Sequence, residues 1–375
     1  MRPGVTPSGA APRRAASEGS ARGRQYSGPV AEIPDAPFLQ ACWSQPARHV
    51  PVWFMRQAGR SLPEYRAIRG SGSILDAIAD PDLSTEITLQ PVRRYGVDAA
   101  ILYSDIVVPL HAIGFGVDVV PGVGPVIEQP FSSAADLDRI RPLDPEGDTP
   151  YVLETVRNLV GELDVPLIGF AGAPFTVASY AIEGRPSKNY ARTKALMHGE
   201  PELWFALADR LADLAIASLR SQVEAGAQAI QLFDSWAGQL SADDYRHFVL
   251  PASTKVFSSI ADLGVPGIHF GVGTSEFLGD LAEAGADVVG VDWRLPLGEA
   301  RTRVPAGVAL QGNLDPAVLL AGWDVVAAQT RAVLASNAGH PGHIFNLGHG
   351  VFPEVDPGIL EQVVELVHAE GRTDG

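Results

Sequence analysis

The chain has 375 residues, with 28 Lys+Arg against 44 Asp+Glu, a net charge of −16 and a pI near 4.9. That acidity repels polyanions and makes nucleic acid and anionic membrane poor partners. A single cysteine, Cys42, excludes an internal disulfide and any multi-cysteine metal site.

At 46% hydrophobic and 19% charged, the chain can bury a large core. Its apolar runs stop short of the roughly 18 to 20 residues that span a bilayer. A soluble protein of a reducing compartment is the expectation, with a cytoplasmic location.

Residues 1–33 are rich in Ala, Gly, Ser, Pro and Arg, and five arginines against two glutamates leave them at +3. A disordered tail is expected there, and an organelle transit peptide is the alternative. The body, residues 34–375, then carries −19.

From Pro51 a unit recurs: a short apolar run, a polar residue at its end, then a helix-like stretch. The runs are Pro51–Gln57, Ala99–Asp105, Pro166–Gly172, Ala229–Ser235, Gly267–Gly273, Val288–Arg294, Val308–Asn313 and His343–His349. Three runs are entered alike, at YGVDAAI (95–101), EAGAQAI (224–230) and EAGADVV (283–289), each reading as a helix end, a glycine cap and a buried strand. Asp315–Pro316 and Asp356–Pro357 each set an acidic N-cap before a proline at the first helical position. The spacing of ILEQVVELV predicts a helix over 359–367.

Eight strand–helix units predict a single-domain (β/α)8 TIM barrel, a fold of roughly 250 residues that grows by loop insertion. A doubly wound open sheet is the alternative, weakened because no G-x-G-x-x-G follows the first run. Gly114–Gly116 and Gly271–Gly273 lack the context of phosphate loops.

In a barrel the C-terminal strand ends form the active face. Arg56, Arg60, Asp105, Ser235, Asp292, Asn313 and His349 fall there. The segment Arg56–Arg69 holds four arginines around Glu64, which reads as an anion clamp or as a solvated loop of Arg–Glu pairs. Asp105 sits in apolar sequence, so it is either paired with a cation or positioned for chemistry. His349 stands in LGHG, where glycines let backbone approach a ligand. His269 reads as a packed strand histidine.

Six ordered motifs resemble the uroporphyrinogen decarboxylase family. They are PVWFMRQAGRSLPEYRAIR (51–69), YSDIVVPLHAIGFGV (103–117), GFAGAPFTVASYAIEG (169–184), QLFDSWAG (231–238), QGNLDP (311–316) and FNLGHG (345–350). The resemblance implies a (β/α)8 barrel, usually a homodimer, acting without metal or organic cofactor. It implies conversion of uroporphyrinogen III to coproporphyrinogen III by loss of CO2 from four acetates. Substrate contacts are carried onto Arg56, Gln57, Ala58, Gly59, Arg60, Arg69, Asp105, Tyr180, Phe233, Ser235 and His349. Among these, Asp105, Arg56, Tyr180 and His349 are the expected catalytic set. No role is carried onto Ser61, Trp236 or the GIHFGVG strand, where the family varies.

The implied chemistry suits the residues. Guanidinium groups match a substrate with eight carboxylates. A pyrrole protonated on a ring carbon accepts the electrons released with CO2, and a fixed carboxylate such as Asp105 stabilises that cation. Arg56, a bound water and His349 are the proton-donor alternatives, the histidine being the better matched to neutral pH.

Three rivals are weaker. Zinc-dependent methyltransferases sharing the barrel need a His-x-Cys, whereas this chain has His269–Phe270–Gly271. A non-catalytic tetrapyrrole binder would lose Asp105 or the arginines. An aldolase or isomerase barrel wants a strand-end lysine or a phosphate loop. The resulting expectation is a positive cleft in an acidic surface, with Asp105 as an isolated negative point.

Overall fold

The computed structural model describes residue 33 and residues 35–59, 61–120 and 122–372. The expected tail, apart from Ile33, and Arg60 of the arginine segment lie outside the described residues.

Seven parallel strands curl into one sheet. In sheet order they are β1 (Ala100–Ile101), β4 (Leu167–Gly172), β5 (Ala229–Phe233), β6 (Gly267–Phe270), β7 (Val288–Gly290), β8 (Ala309–Gln311) and β9 (His343–Ile344). A two-stranded antiparallel hairpin, β2 (Val117–Val120) and β3 (Gly124–Ile127), is inserted after β1. The strands are short apolar runs buried on both faces, as a sheet covered by helices requires. Apart from β4, which ends with its run at Gly172, each ladder strand is shorter than its expected run, which reached past it into the loop that carries the polar residue.

The eighth position is filled differently from expectation. Pro51–Gln57 forms no ladder strand; it contributes one parallel bridge, Val52 to Phe345. Phe345 N–H donates to Pro51 O at 2.8 Å on one side, and Asp98 N–H donates to Val52 O at 2.8 Å on the other. The segment therefore lies between β9 and β1 and closes the barrel. Pro51 has no N–H to give, and the chain turns sharply at Phe54–Gln57, so pairing cannot extend.

Buried polar groups pin this closing segment from inside. Trp53 Nε1 donates to Gln311 Oε1 at 3.0 Å, Gln311 Nε2 to Gln231 Oε1 at 3.0 Å, and Gln231 Nε2 to Met55 Sδ at 3.8 Å. The Met55 N–H donates to Asn346 Oδ1 at 3.0 Å. Paired in this way, buried amides hold one register where an apolar filling would allow several.

The helices follow their sequence signals. Helix Pro201–Glu224 buries Leu203, Leu207, Leu211, Ala215 and Leu219 on one stripe. Each such leucine contributes roughly 1.5–3 kcal/mol on burial. Helix Pro357–Glu370 begins as expected, with Asp356 Oδ1 accepting from Gly358 N–H at 2.9 Å. Asp315–Pro316 instead opens a 3-10 turn, Pro316–Leu320; the α-helix starts later, at Trp323–Ser336, because Gly322 (φ 87°) interrupts. All three repeated entries carry a left-handed or otherwise positive-φ glycine, at Gly96, Gly226 and Gly285.

Candidate active site at the C-terminal strand ends

Arg56 occupies a turn in which Gln57 N–H donates to Phe54 O at 3.0 Å. Its φ is 61°, a left-handed conformation unusual for a residue with a Cβ. Gln57 is fully buried and holds the turn with both ends of its amide: Oε1 accepts from Phe54 N–H at 3.0 Å and Nε2 donates to Ala99 O at 3.0 Å. The side chain of Gln57 is therefore a support for the Arg56 turn. Ala58 and Gly59 are half-buried beside it. A Cβ on Gly59 would stand 3.0 Å from Arg56 O.

The glycines around His349 do other work than expected. A Cβ on Gly350 would come within 2.5 Å of Arg56 Cδ, and one on Gly348 would overlap the backbone at Asp292–Trp293. They let the loop approach the protein's own arginine and the β7 loop; no ligand is needed to explain them.

Asp105 follows β1, and its Oδ1 accepts from Val107 N–H at 3.0 Å. No described cation lies within ion-pair distance of it. Burial raises its pKa above the ordinary carboxylate value, opposed by the Val107 and Ile106 N–H groups and by the Arg56 charge. Arg56 is exposed and has no hydrogen-bond or ion-pair partner among the described residues. Its charge acts on Asp105, Tyr180 and His349 alike, which brings those four groups into one site.

Tyr180 lies on helix Pro174–Glu183, its pKa raised by burial and by the Asp105 charge. Its ring packs on Trp236 at 3.9 Å between centroids, and Tyr190 packs on the same indole at 4.8 Å. Trp236, onto which the resemblance carried no role, buttresses Tyr180. Phe233, at the end of β5, is half-buried and meets Phe170 and Phe270 edge-on. Ser235 is half-buried two residues later.

His349 is pushed down to about 4 by burial and by the Arg56 and Arg294 charges. Its Nδ1 accepts from Gly350 N–H at 2.6 Å, so the neutral ring carries its proton on Nε2. A neutral imidazole is a hydrogen-bond donor and a weak acid, which removes the pKa match to neutral pH expected of it.

Other expected site residues lie elsewhere in the network. Arg69, on helix Pro63–Arg69, donates to Gly72 O at 2.8 Å and acts on the Tyr103 hydroxyl. Glu64 pairs with Arg94, outside the segment, so the local Arg–Glu loop is not formed by that pair. Asp292 accepts from Gly273 N–H, Arg294 N–H and the Arg294 guanidinium, and Asn313 donates to Asp292 O at 2.8 Å and Leu295 O at 2.6 Å. These contacts tie the loops after β6, β7 and β8 together.

The unanticipated residue is Asp234. It is fully buried between Phe233 and Ser235, and Thr176 Oγ1 donates to its Oδ1 at 2.7 Å. The same hydroxyl accepts from Trp236 N–H at 3.3 Å. Asp234 therefore fastens the β5 loop to the helix carrying Tyr180. Burial raises its pKa to about 7, and Oδ2 has no hydrogen-bond partner among the described residues. A carboxylate directly after an apolar run was the available signal, the same one that marks Asp105.

A surface cleft of about 560 Å³ lies between helices Pro81–Tyr95 and Pro150–Glu162. Asp82, Glu86 and Glu162 line it with Arg157, a poor lining for a polyanion.

The sequence model for uroporphyrinogen decarboxylase (URO-D) matches residues 34–370. A uroporphyrinogen decarboxylase of Salinispora tropica is 60% identical over 354 residues, 94% of this chain and 95% of that one. One of Streptomyces griseus is 61% identical over 337 residues, 90% and 92% of the two chains. Among solved structures, a methyltransferase from Methanosarcina mazei superposes with a TM-score of 0.72 at 20% identity, over 89% of this chain and 97% of that one, a likeness of fold alone. With a matched family model and relatives near 60% identity over almost its whole length, the chain belongs to the uroporphyrinogen decarboxylase family of carboxy-lyases.

Proposed function

We propose that the chain removes CO2 from the four acetate side chains of uroporphyrinogen III to give coproporphyrinogen III, without a cofactor. The observation that carries this reading is Asp105, a carboxylate at a barrel strand end with no ion-pair partner among the described residues, set beside an arginine that likewise has none among them.

A ring carbon of the pyrrole is protonated first, leaving an iminium-like cation. The bond from the acetate methylene to its carboxylate then breaks. CO2 departs, and its electron pair neutralises the cation as an exocyclic methylene. Protonation of that methylene and loss of the ring-carbon proton restore the pyrrole with a methyl group. Asp105 stabilises the cation and accepts from the pyrrole N–H groups. Being already fixed by Val107 N–H, it needs little reorganisation.

Arg56 binds a substrate carboxylate, with Arg60 and Arg69 as further anion contacts and Ala58 and Gly59 lining the same turn. His349 donates Nε2–H to a substrate oxygen, Tyr180 and Ser235 complete the polar contacts, and Phe233 packs against the macrocycle. A guanidinium and a neutral imidazole are both weak acids, so the proton is taken from bulk solvent, relayed to the substrate carbon through a bound water. We further infer a homodimer acting in the cytoplasm. Among the described residues no helix is long and apolar enough to cross a membrane.

An anaerobic assay with uroporphyrinogen III, resolving products by number of carboxylates, tests the activity. Stepwise loss of four carboxylates is expected, and an unchanged number overturns the reading. Sedimentation equilibrium tests the dimer.

A further inference from the structure

Three ligand-type side chains meet at the opposite, N-terminal end of the barrel. His49 precedes the closing segment, Asp98 precedes β1, and His368 lies in the last turn of helix Pro357–Glu370. His49 Nε2 is 2.8 Å from Asp98 Oδ1 and His368 Nε2 is 2.7 Å from Asp98 Oδ2. The two imidazole rings touch, at 4.3 Å between centroids. The three ligand atoms lie within 4.8 Å of one another.

The backbone around them is already tied. Val50 N–H donates to Gly371 O at 2.8 Å, His49 bridges to Arg372, and Val52 N–H donates to Asp98 Oδ2 at 2.8 Å. The side chains of His49 and Asp98 are 12% and 7% exposed and that of His368 is 31%, so the group is closed inside and open on one flank.

We propose that His49, Asp98 and His368 bind one divalent ion of the zinc class. Two imidazoles and a carboxylate are a donor set for such an ion, and solvent supplies a fourth ligand from the open flank. Bonds of about 2.0–2.1 Å place neighbouring ligand atoms ~3.3 Å apart. The contacts to Asp98 widen slightly, and the half-exposed His368 turns inward. On binding, each imidazole presents its Nε2 lone pair to the ion and carries its proton on Nδ1. Without the ion the two Nε2–H groups donate to the Asp98 carboxylate; neither Nδ1 has a hydrogen-bond partner among the described residues, so each is open to take the proton once the ion replaces those bonds. The ion joins the closing segment, β1 and the C-terminal helix, and it takes no part in decarboxylation.

The test uses the full-length protein after chelator treatment and dialysis, titrated with ZnCl2 alone by calorimetry and with CoCl2 alone by visible absorption. One ion per chain is expected, with a cobalt d–d band and a melting temperature that rises with zinc. H49N/H368Q should weaken zinc binding roughly 100-fold or more and abolish the band, with decarboxylation unchanged. Should the double variant fail to fold, H368Q alone must weaken binding at least ~10-fold. Equal zinc uptake by the wild type and the variants, or a melting temperature indifferent to zinc, overturns the proposal and leaves a hydrogen-bonded cluster only. Because activity is measured separately, this outcome does not touch the decarboxylase reading.

Discussion

Asp98 and Asp105 flank the same short strand, β1, and their surroundings are opposite. At the base of the barrel Asp98 is buried, yet hydrogen bonds from His368, His49 and Val52 N–H outweigh that burial and hold its pKa below the usual value. At the active face Asp105 receives, among the described residues, backbone N–H groups and the field of Arg56, and burial keeps its pKa high. One carboxylate is satisfied by the fold; the other is left in want of a positive partner. The same contrast separates the arginines. Arg141, Arg220 and Arg331 each grip a carboxylate on the surface, while Arg56 grips none among the described residues. Stability lies where polar groups are matched, and the site lies where they are not.

Exchanging charge at the two ends should separate activity from stability. Asp105→Asn is expected to lower kcat/KM by about 10²–10³-fold, the usual loss for one preorganised electrostatic group. The same variant should melt no lower than the wild type. A pKa raised in the folded state means that the ionised form opposes folding as pH rises past the unfolded value, and asparagine removes that penalty. A near-normal kcat/KM would break the comparison at its active end.

Asp98→Asn should do the reverse, costing roughly 2–4 kcal/mol in urea unfolding while sparing turnover per folded molecule. The sign with pH follows from the lowered pKa: Asp98 contributes fully above its unfolded value and loses that contribution as pH falls through the lower folded one. The stability gap between wild type and variant should therefore shrink in acid.

Thr176→Val tests the intermediate case, a buried group serving the site from behind. Freeing Asp234 and Trp236 N–H should lower kcat/KM about 10-fold through misplaced Tyr180 and Ser235. Thr176→Ser, which keeps the hydroxyl, should restore most of it. The smallest effect is expected from pH. With His349 at about 4, its protonation should leave no inflection between pH 6 and 8, and His349→Gln should not move any limb there. A neutral-pH inflection that vanishes in His349→Gln would return the proton-donor role to this histidine.

Much of the fold was legible. Seven of the eight apolar runs contain ladder strands, and the glycine caps before three of them sit at positive φ. Asp105 and Arg56 stood out because polar residues ending apolar runs are scarce. Local signals could not show that Gln57 supports a turn, that Gly350 clears space for Arg56, or that Asp234 holds Thr176, since each depends on a partner distant in sequence. Nor could they show His49 and His368 meeting at Asp98 across 270 residues of chain between the last two.

By itself the sequence determined the periodicity, and with it the barrel, the face on which polar residues gather and the family. Those properties are local or additive: a run of β-branched residues, a capping pair, a motif read in order. Only the tertiary structure decided which charges are matched. Whether a carboxylate is stabilised or stressed depends on donors delivered by other strands and helices and on the water that packing removes, and no window of sequence contains either.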